Sequence, residues 1–218
     1  MKRLTLFAGH YGSGKTNIAV NYALSLRKSG KEVIIADLDI VNPYFRTKDS
    51  ADELSNAGIE LISPAFANSN VDLPSLPQEA YKVVQDRSKY AVLDIGGDDR
   101  GAYALGRYTP SILEENDYEM VFVANFYRPL TATATEALEV MREIELAGGI
   151  KFTAIVNNSN IGNETTADHV LATAERAEEL SKISGLPVIF TTAEKTVAEA
   201  LNKRIDNVFP LNLQKKLF

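Results

Sequence analysis

Eight consecutive residues, Gly9-His10-Tyr11-Gly12-Ser13-Gly14-Lys15-Thr16, have the types and spacing to hold a polyphosphate. They fit G-x-x-x-x-G-K-[ST]. Glycines at 9, 12 and 14 let the main chain turn inward, so that Gly9, Tyr11, Gly12, Ser13 and Gly14 line a cradle of N–H groups. Lys15 is then placed to reach the β- and γ-phosphates, and the Thr16 hydroxyl to bind Mg²⁺. Asn17 follows in the first turn of an expected helix, whose N-terminus adds partial positive charge where phosphate would sit.

A second group of candidates is acidic. Ile34-Ile35-Ala36-Asp37-Leu38-Asp39 sets two carboxylates two residues apart at the end of an apolar run. On a strand, side chains two apart point to the same side, so both can face one cavity. One would help hold Mg²⁺-bound water and the other would position an attacking water; the plainer alternative is that they cap a strand end. Val92-Leu93-Asp94-Ile95-Gly96-Gly97 closes another apolar run with Asp94, where a carboxylate would stand behind a Thr16-bound Mg²⁺. Gly97 could bring a backbone N–H up to the γ-phosphate, and the segment after it could move when that phosphate leaves. An ordinary strand-to-helix turn is the alternative, and Asp98, Asp99 and Arg100 read as a solvated loop.

The elements that must position these groups alternate along the chain. Leu4-Thr5-Leu6-Phe7-Ala8 predicts a buried strand and 17–29 a helix beginning where the loop ends. Further strands are expected over 32–37, 59–62, 90–94, 118–125, 152–156 and 187–190. The predicted helices include one boxed by Thr133 and Glu136, a long one opened by Thr165 and Asp168, and a last one capped by Thr191. A helical stretch after Gly97 is interrupted near Pro110, and Ser50 with Glu53 opens a short one. Residues 63–77, with three prolines, form a long connection that serves as a lid or as a plain crossover. Seven continuously apolar strands between helices call for one α/β domain over 1–218, a mainly parallel sheet covered on both faces. In such sheets ligands bind at the carboxyl ends of the strands, where the candidates above fall.

Composition excludes several classes. The chain of 218 residues carries a net charge of −6 with its basic residues scattered, so direct nucleic-acid binding is not expected. There is no cysteine, which removes disulfides, thiolate zinc and a cysteine nucleophile, and two histidines are too few for an imidazole metal site. No run of 18 apolar residues appears, and a soluble, cytoplasmic protein is expected. The tail Leu211-Asn212-Leu213-Gln214-Lys215-Lys216-Leu217-Phe218 is short and weakly basic for a membrane-surface helix, so membrane binding is not expected either.

The phosphate loop, then D-L-D, then D-I-G-G, in this order and at these intervals, resembles the MinD/ParA class of P-loop ATPases, within a wider group that includes the CobQ/CobB nucleotide-binding domains. The resemblance covers most of the chain. It implies ATP or ADP with Mg²⁺, slow hydrolysis, protein partners and often a nucleotide-dependent homodimer. It assigns the water-positioning carboxylate to Asp39, the Walker-B carboxylate to Asp94 and an adenine-side amide to Asn157. One position departs from the family. Where its members carry a lysine that reaches a partner's nucleotide, this chain has His10. A neutral imidazole does not replace that fixed charge, which bears on the ATP-sandwich dimer and not on binding in cis. His10 reads more plainly as a loop side chain facing water. Arg46, Arg100, Arg107 or Arg128 could supply the charge, and sequence alone does not choose among them.

A guanine-reading N-K-x-D is absent, and the matching strand end reads Asn157-Asn158-Ser159-Asn160, which favours ATP over GTP. Asn125-Phe126-Tyr127-Arg128-Pro129 ends a strand at the same edge, and Asn42-Pro43-Tyr44-Phe45-Arg46 puts two aromatics after D-L-D, as partner surface or as core. A nucleotide switch whose loops 39–48 and 96–107 order against the γ-phosphate is the leading reading. A small-molecule kinase or ATP-dependent ligase, and a non-hydrolysing interaction module, are the alternatives.

Overall fold

Apolar runs without alternation need cover on both faces, and the computed structural model supplies it. The structure describes residues 1–39, 50–63, 81–97 and 99–213, with backbone alone at 99 and 100. Its strands are β1 (Leu4–Ala8), β2 (Val33–Leu38), β3 (Glu60–Ile62), β4 (Tyr90–Ile95), β5 (Tyr118–Ala124), β6 (Ala154–Asn157), β7 (Val188–Glu194) and β8 (Val208–Leu211). They form one sheet in the order β3-β2-β4-β1-β5-β6-β7-β8, and every neighbouring pair is parallel.

The helices lie on both faces: α1 (Lys15–Lys28), α2 (Ala51–Asn56), α3 (Lys82–Gln85), α4 (Asp99–Gly106), α5 (Thr109–Glu115), α6 (Ala134–Gly148), α7 (Ala167–Leu171), α8 (Ala174–Ser184) and α9 (Lys195–Leu201). Leu4, Leu6, Leu93, Met120 and Phe122 form one core layer with Leu105 of α4, Ile112 of α5, Met141 of α6 and Leu180 of α8. Phe7, Ile35, Val92 and Val121 form the other with Ile18, Ala19, Ala23 and Leu26 of α1. Period-two alternation along each strand thus decides which residues face α1.

Three departures from the sequence pattern have local causes. An eighth strand, β8, contains Pro210, and an edge position tolerates the missing N–H. Leu211 is therefore buried in the sheet, not the start of a surface helix, and residues beyond 213 lie outside those described. The long helix expected from Thr165 is two helices. Thr166, not Thr165, closes its capping box with His169, and the helix breaks at Thr173, whose hydroxyl donates to the Val170 carbonyl at 2.7 Å. Thr191 lies within β7, and Glu194 caps α9 by accepting from the Thr196 N–H. The Thr196 hydroxyl and neighbouring N–H groups hold that carboxyl below the usual range.

Thr133 and Glu136 form the expected box on α6, and Pro110 stands in the first turn of α5 after the break. Ser50 makes no side-chain cap to α2 among the described residues. The 63–77 connection beyond residue 63 and the Tyr44–Phe45 pair lie outside the described residues. Among those described, no helix is long and apolar enough to cross a membrane.

At the amino ends of the strands, Arg3 is 7% exposed and joins three segments. Its Nη1 donates to the carbonyls of Val83, Asp86 and Lys89 at 3.2, 3.3 and 2.9 Å, and Nη2 and Nε hold the two oxygens of Glu115. Arg3→Met leaves the buried Glu115 carboxylate, among the described residues, with only Arg87, 3.9 Å away, as a partner. We expect a loss of about 3 kcal/mol in urea denaturation, since breaking one half of a buried pair strands the other charge.

Candidate functional site

The loop between β1 and α1 is shaped by contacts that pull its carbonyls outward. Ser13 N–H donates to the His10 carbonyl at 3.1 Å, which closes the turn. Arg128 Nε donates to the Gly12 carbonyl at 3.0 Å, and Asn158 Nδ2 donates to the Ser13 carbonyl at 2.6 Å. In a trans peptide the N–H opposes the C=O, so a Ser13 carbonyl held by Asn158 aims the Gly14 N–H the other way, into the loop. Gly14 caps α1 at φ 88, and a Cβ there would strike Asn158 Nδ2, so glycine is required twice over. Asn158 is held in turn by the Thr192 hydroxyl, which donates to its Oδ1.

Lys15 and Thr16 start α1 and are 5% and 6% exposed, while Tyr11 is 52% exposed. Lys15 Nζ donates to the His10 carbonyl at 3.3 Å, folded back across its own loop. Ser13 Oγ is buried and has no hydrogen-bond partner among the described residues, the condition of a hydroxyl awaiting an acceptor. Asn17 accepts from Asn21 Nδ2 through its carbonyl at 2.8 Å.

The acidic candidates converge. Asp37 and Asp94 are register partners on β2 and β4, 2% and 0% exposed, and by alternation they share the face that α1 covers. Buried like charges on neighbouring strands favour a cation beside them, and α1 begins there with Lys15 and Thr16. Asp39, 7% exposed, follows β2 and donates its N–H to Asp37 Oδ1 at 3.0 Å. Among the described residues, no three His, Asp or Glu side chains cluster into a ligand set, so a divalent ion here would draw on Thr16 and its own water and phosphate ligands.

Gly97 lies directly against the loop. A Cβ on it would stand 2.7 Å from Tyr11 N, 2.8 Å from Lys15 Nζ and 2.9 Å from the Gly9 carbonyl oxygen. Behind it, Gly96 and Gly101 meet backbone to backbone, and a Cβ on Gly101 would lie 2.7 Å from Gly96 N. One on Gly96 would lie 3.3 Å from Asp39 Oδ1. Two glycines thus let the start of α4 close onto the end of β4 and next to Asp39. Sequence pattern indicates Gly97 but carries no sign of the Gly96–Gly101 contact.

At the end of β6, Asn157 turns inward. Its Nδ2 donates to Thr173 Oγ1 at 3.1 Å, and its Oδ1 accepts from the Ser159 N–H and hydroxyl at 3.1 and 2.7 Å. Its neighbour Asn158 is the one that reaches the loop. Asn125 closes the adjoining strand end, its Oδ1 accepting from the N–H groups of Tyr127 and Asn160 at 3.1 and 3.3 Å. Of the four arginines, Arg128 comes to the loop. Arg107 is exposed, and Arg46 and the Arg100 side chain lie outside the described residues. His10 Nδ1 lies 3.0 Å from the Tyr11 carbonyl.

No family model and no curated protein matches the chain. Solved structures do. The cell division protein FtsY of Thermotoga maritima is 18% identical over 87% of this chain and 61% of that one, with a TM-score of 0.55. The signal recognition particle receptor FtsY of Elizabethkingia anophelis in complex with GDP is 13% identical over 88% and 57%, with a TM-score of 0.54. FtsY of Mycoplasma mycoides is 15% identical over 88% and 61%, with a TM-score of 0.57. This chain spans about three fifths of their length. At these identities the likeness is one of fold, a parallel sheet covered by helices on both faces.

The Asn158 contacts make a prediction that needs no ligand. Asn158→Ala removes the donor to the Ser13 carbonyl and the acceptor of a buried Thr192 hydroxyl. We expect a loss of about 1–3 kcal/mol in urea denaturation; a wild-type midpoint would show that the loop holds its shape without that amide.

Proposed function

We propose that this chain is a cytoplasmic, MinD/ParA-like nucleotide switch that binds ATP with Mg²⁺ and hydrolyses it slowly. The observation that carries the reading is the convergence of an inward-turned phosphate loop, a buried pair of carboxylates on the α1 face and a glycine pressed against Lys15. Main-chain groups of Gly9, Tyr11, Gly12, Ser13, Gly14 and Asn17 hold the phosphates, and Lys15 leaves the His10 carbonyl for the β- and γ-oxygens. Thr16 would hold Mg²⁺, with Asp37 and Asp94 orienting its waters; the ion supplies charge neutralisation on the phosphate chain. Asp39 positions the attacking water.

The switching element follows from a conflict of space. A γ-phosphate beside Lys15 Nζ needs the volume into which Gly97 is pressed, so the 96–101 segment must shift, and its N–H then faces the phosphate. That shift opens or closes the Gly96–Gly101 contact and is what a protein partner or a second copy would sense. Asn157 stands on the base side. Its strand end lacks the Lys and Asp that read guanine, which supports ATP; the GDP held by the FtsY of Elizabethkingia anophelis makes guanine nucleotide the second reading.

Isothermal titration with ATP, ADP and GTP, with and without Mg²⁺, tests both readings. Lys15→Ala should weaken triphosphate binding by about 10–100-fold, the worth of charge-assisted hydrogen bonds at roughly 1.5–3 kcal/mol; unchanged affinity overturns the proposal. Asp39→Ala should bind as wild type and lose turnover. Equal slow turnover in both would make the protein a binding module without hydrolysis.

A further inference from the structure

The peptide between Ser13 and Gly14 decides whether the phosphate loop offers an N–H or a carbonyl to an anion, and its own neighbours leave that choice open. Gly14 sits at φ 88 with no side chain, so the plane meets little steric resistance to turning over. Ser13 N–H is tied to the His10 carbonyl, which fixes the preceding peptide and not this one. We infer that Thr192 is a positioning residue for phosphate binding, acting through Asn158 to keep the Gly14 N–H turned into the loop. This rests on the reading of the loop as a phosphate site and deepens it by naming the group that holds the cradle in its binding form.

The sheet brings the three residues together. Val156 and Phe190 are register partners on β6 and β7, and both belong to the core layer under α1. Two residues further along, alternation puts Asn158 and Thr192 on that same side, where the loop lies. Ser13, Asn158 and Thr192 are all buried. Asn158 Nδ2 donates to the Ser13 carbonyl at 2.6 Å, and the Thr192 hydroxyl donates to Asn158 Oδ1. The main chain of Asn158 is fixed separately: its N–H donates to the Ala124 carbonyl and its carbonyl accepts from Asn160 Nδ2, both at 2.8 Å. Only the carboxamide is left for Thr192 to orient.

A carboxamide has a donor end and an acceptor end. Here the Ser13 carbonyl takes the donor end, and among the described residues no group but the Thr192 hydroxyl donates to the acceptor end. With a methyl in place of that hydroxyl, Oδ1 is left buried without a hydrogen bond, and the amide gains by turning toward another donor. The Ser13 carbonyl then loses its anchor. A glycine peptide so released can point its oxygen at the phosphates, where it repels them. The hydroxyl touches no phosphate itself; it supports the group that shapes the loop.

The test measures binding of inorganic pyrophosphate and of ADP, each with Mg²⁺, to the full chain by isothermal titration, with urea denaturation beside it. Thr192→Val should weaken both ligands about tenfold and by the same factor, since pyrophosphate meets only the loop. Thr192→Ser keeps the hydroxyl and should bind both within about twofold of wild type. In an Asn158→Ala background, Thr192→Val should cost less than about twofold more, because its route to the loop is already gone. In wild type the Gly14 amide proton should shift downfield when pyrophosphate binds, and Thr192→Val should lose most of that shift. Should Thr192→Val fail to fold, Thr192→Ala set beside Thr192→Ser carries the same comparison. Unchanged affinity in the variant without the hydroxyl, whatever its urea midpoint, makes Thr192 a packing residue and overturns the inference. A loss confined to ADP would place its action on the base, and an undiminished loss in the Asn158→Ala background would bypass the amide; either overturns it too. If Lys15→Ala weakens pyrophosphate while Thr192→Val does not, the phosphate site stands and this inference alone falls. If Lys15→Ala binds both ligands as wild type, the site itself is misread and the inference falls with it.

Discussion

A phosphate loop works only if its peptide planes face the right way, and here that depends on two carbonyls held from outside. Ser13 is gripped by Asn158 and Gly12 by Arg128, both from loops at the carboxyl ends of other strands. Pinning a carbonyl outward is the same act as turning the following N–H inward, because the peptide is planar. Left-handed Gly14 then leads into α1, and the helix adds its own partial charge at Lys15 and Thr16. The sheet makes this possible by setting β5, β6 and β7 beside β1, so that residues far apart in sequence end at one edge.

Two kinds of contact hold the two sides of that edge. On one side, Asn125, Asn157, Asn158, Ser159, Thr173 and Thr192 saturate one another with buried hydrogen bonds, and a satisfied polar network of this kind fixes a single arrangement. On the other, the end of β4 meets the first turn of α4 through Gly96 and Gly101, while Ala102 and Leu105 anchor the rest of α4 in the core. Gly97, next to that backbone contact, lies against Lys15.

What could be read from the linear chain was what is local. The loop motif, the two acidic strand ends and seven strands are carried by neighbours in sequence, though β7 runs on to Glu194, past the Thr191 that reads as a helix cap. The eighth strand escaped because Pro210 argues against a strand in any position but an edge, and edge status is a property of the whole sheet. The break between α7 and α8 escaped because Thr173 looks like an ordinary helix residue until Asn157 bonds to it. Asn158 and Arg128 reach the loop from 145 and 116 residues away, and no spacing rule covers such distances. Asn157, which the resemblance puts on the adenine side, bonds to Thr173 and Ser159, and it is the next residue, Asn158, that reaches the loop.

The pairing of Asn21 with Asn212 has a consequence for how the molecule is made. Asn21, in the middle of α1, donates to the Asn212 carbonyl at 3.0 Å and accepts its N–H at 2.9 Å across 191 residues. Tyr22 on the same helix packs against Phe209 of β8. A ribosome releasing this chain therefore exposes α1 long before its last neighbour exists, and the bare flank of that helix must wait for the carboxyl-terminal strand. Contacts of such sequence separation slow folding, and the half-finished chain offers an apolar surface to whatever chaperone is at hand.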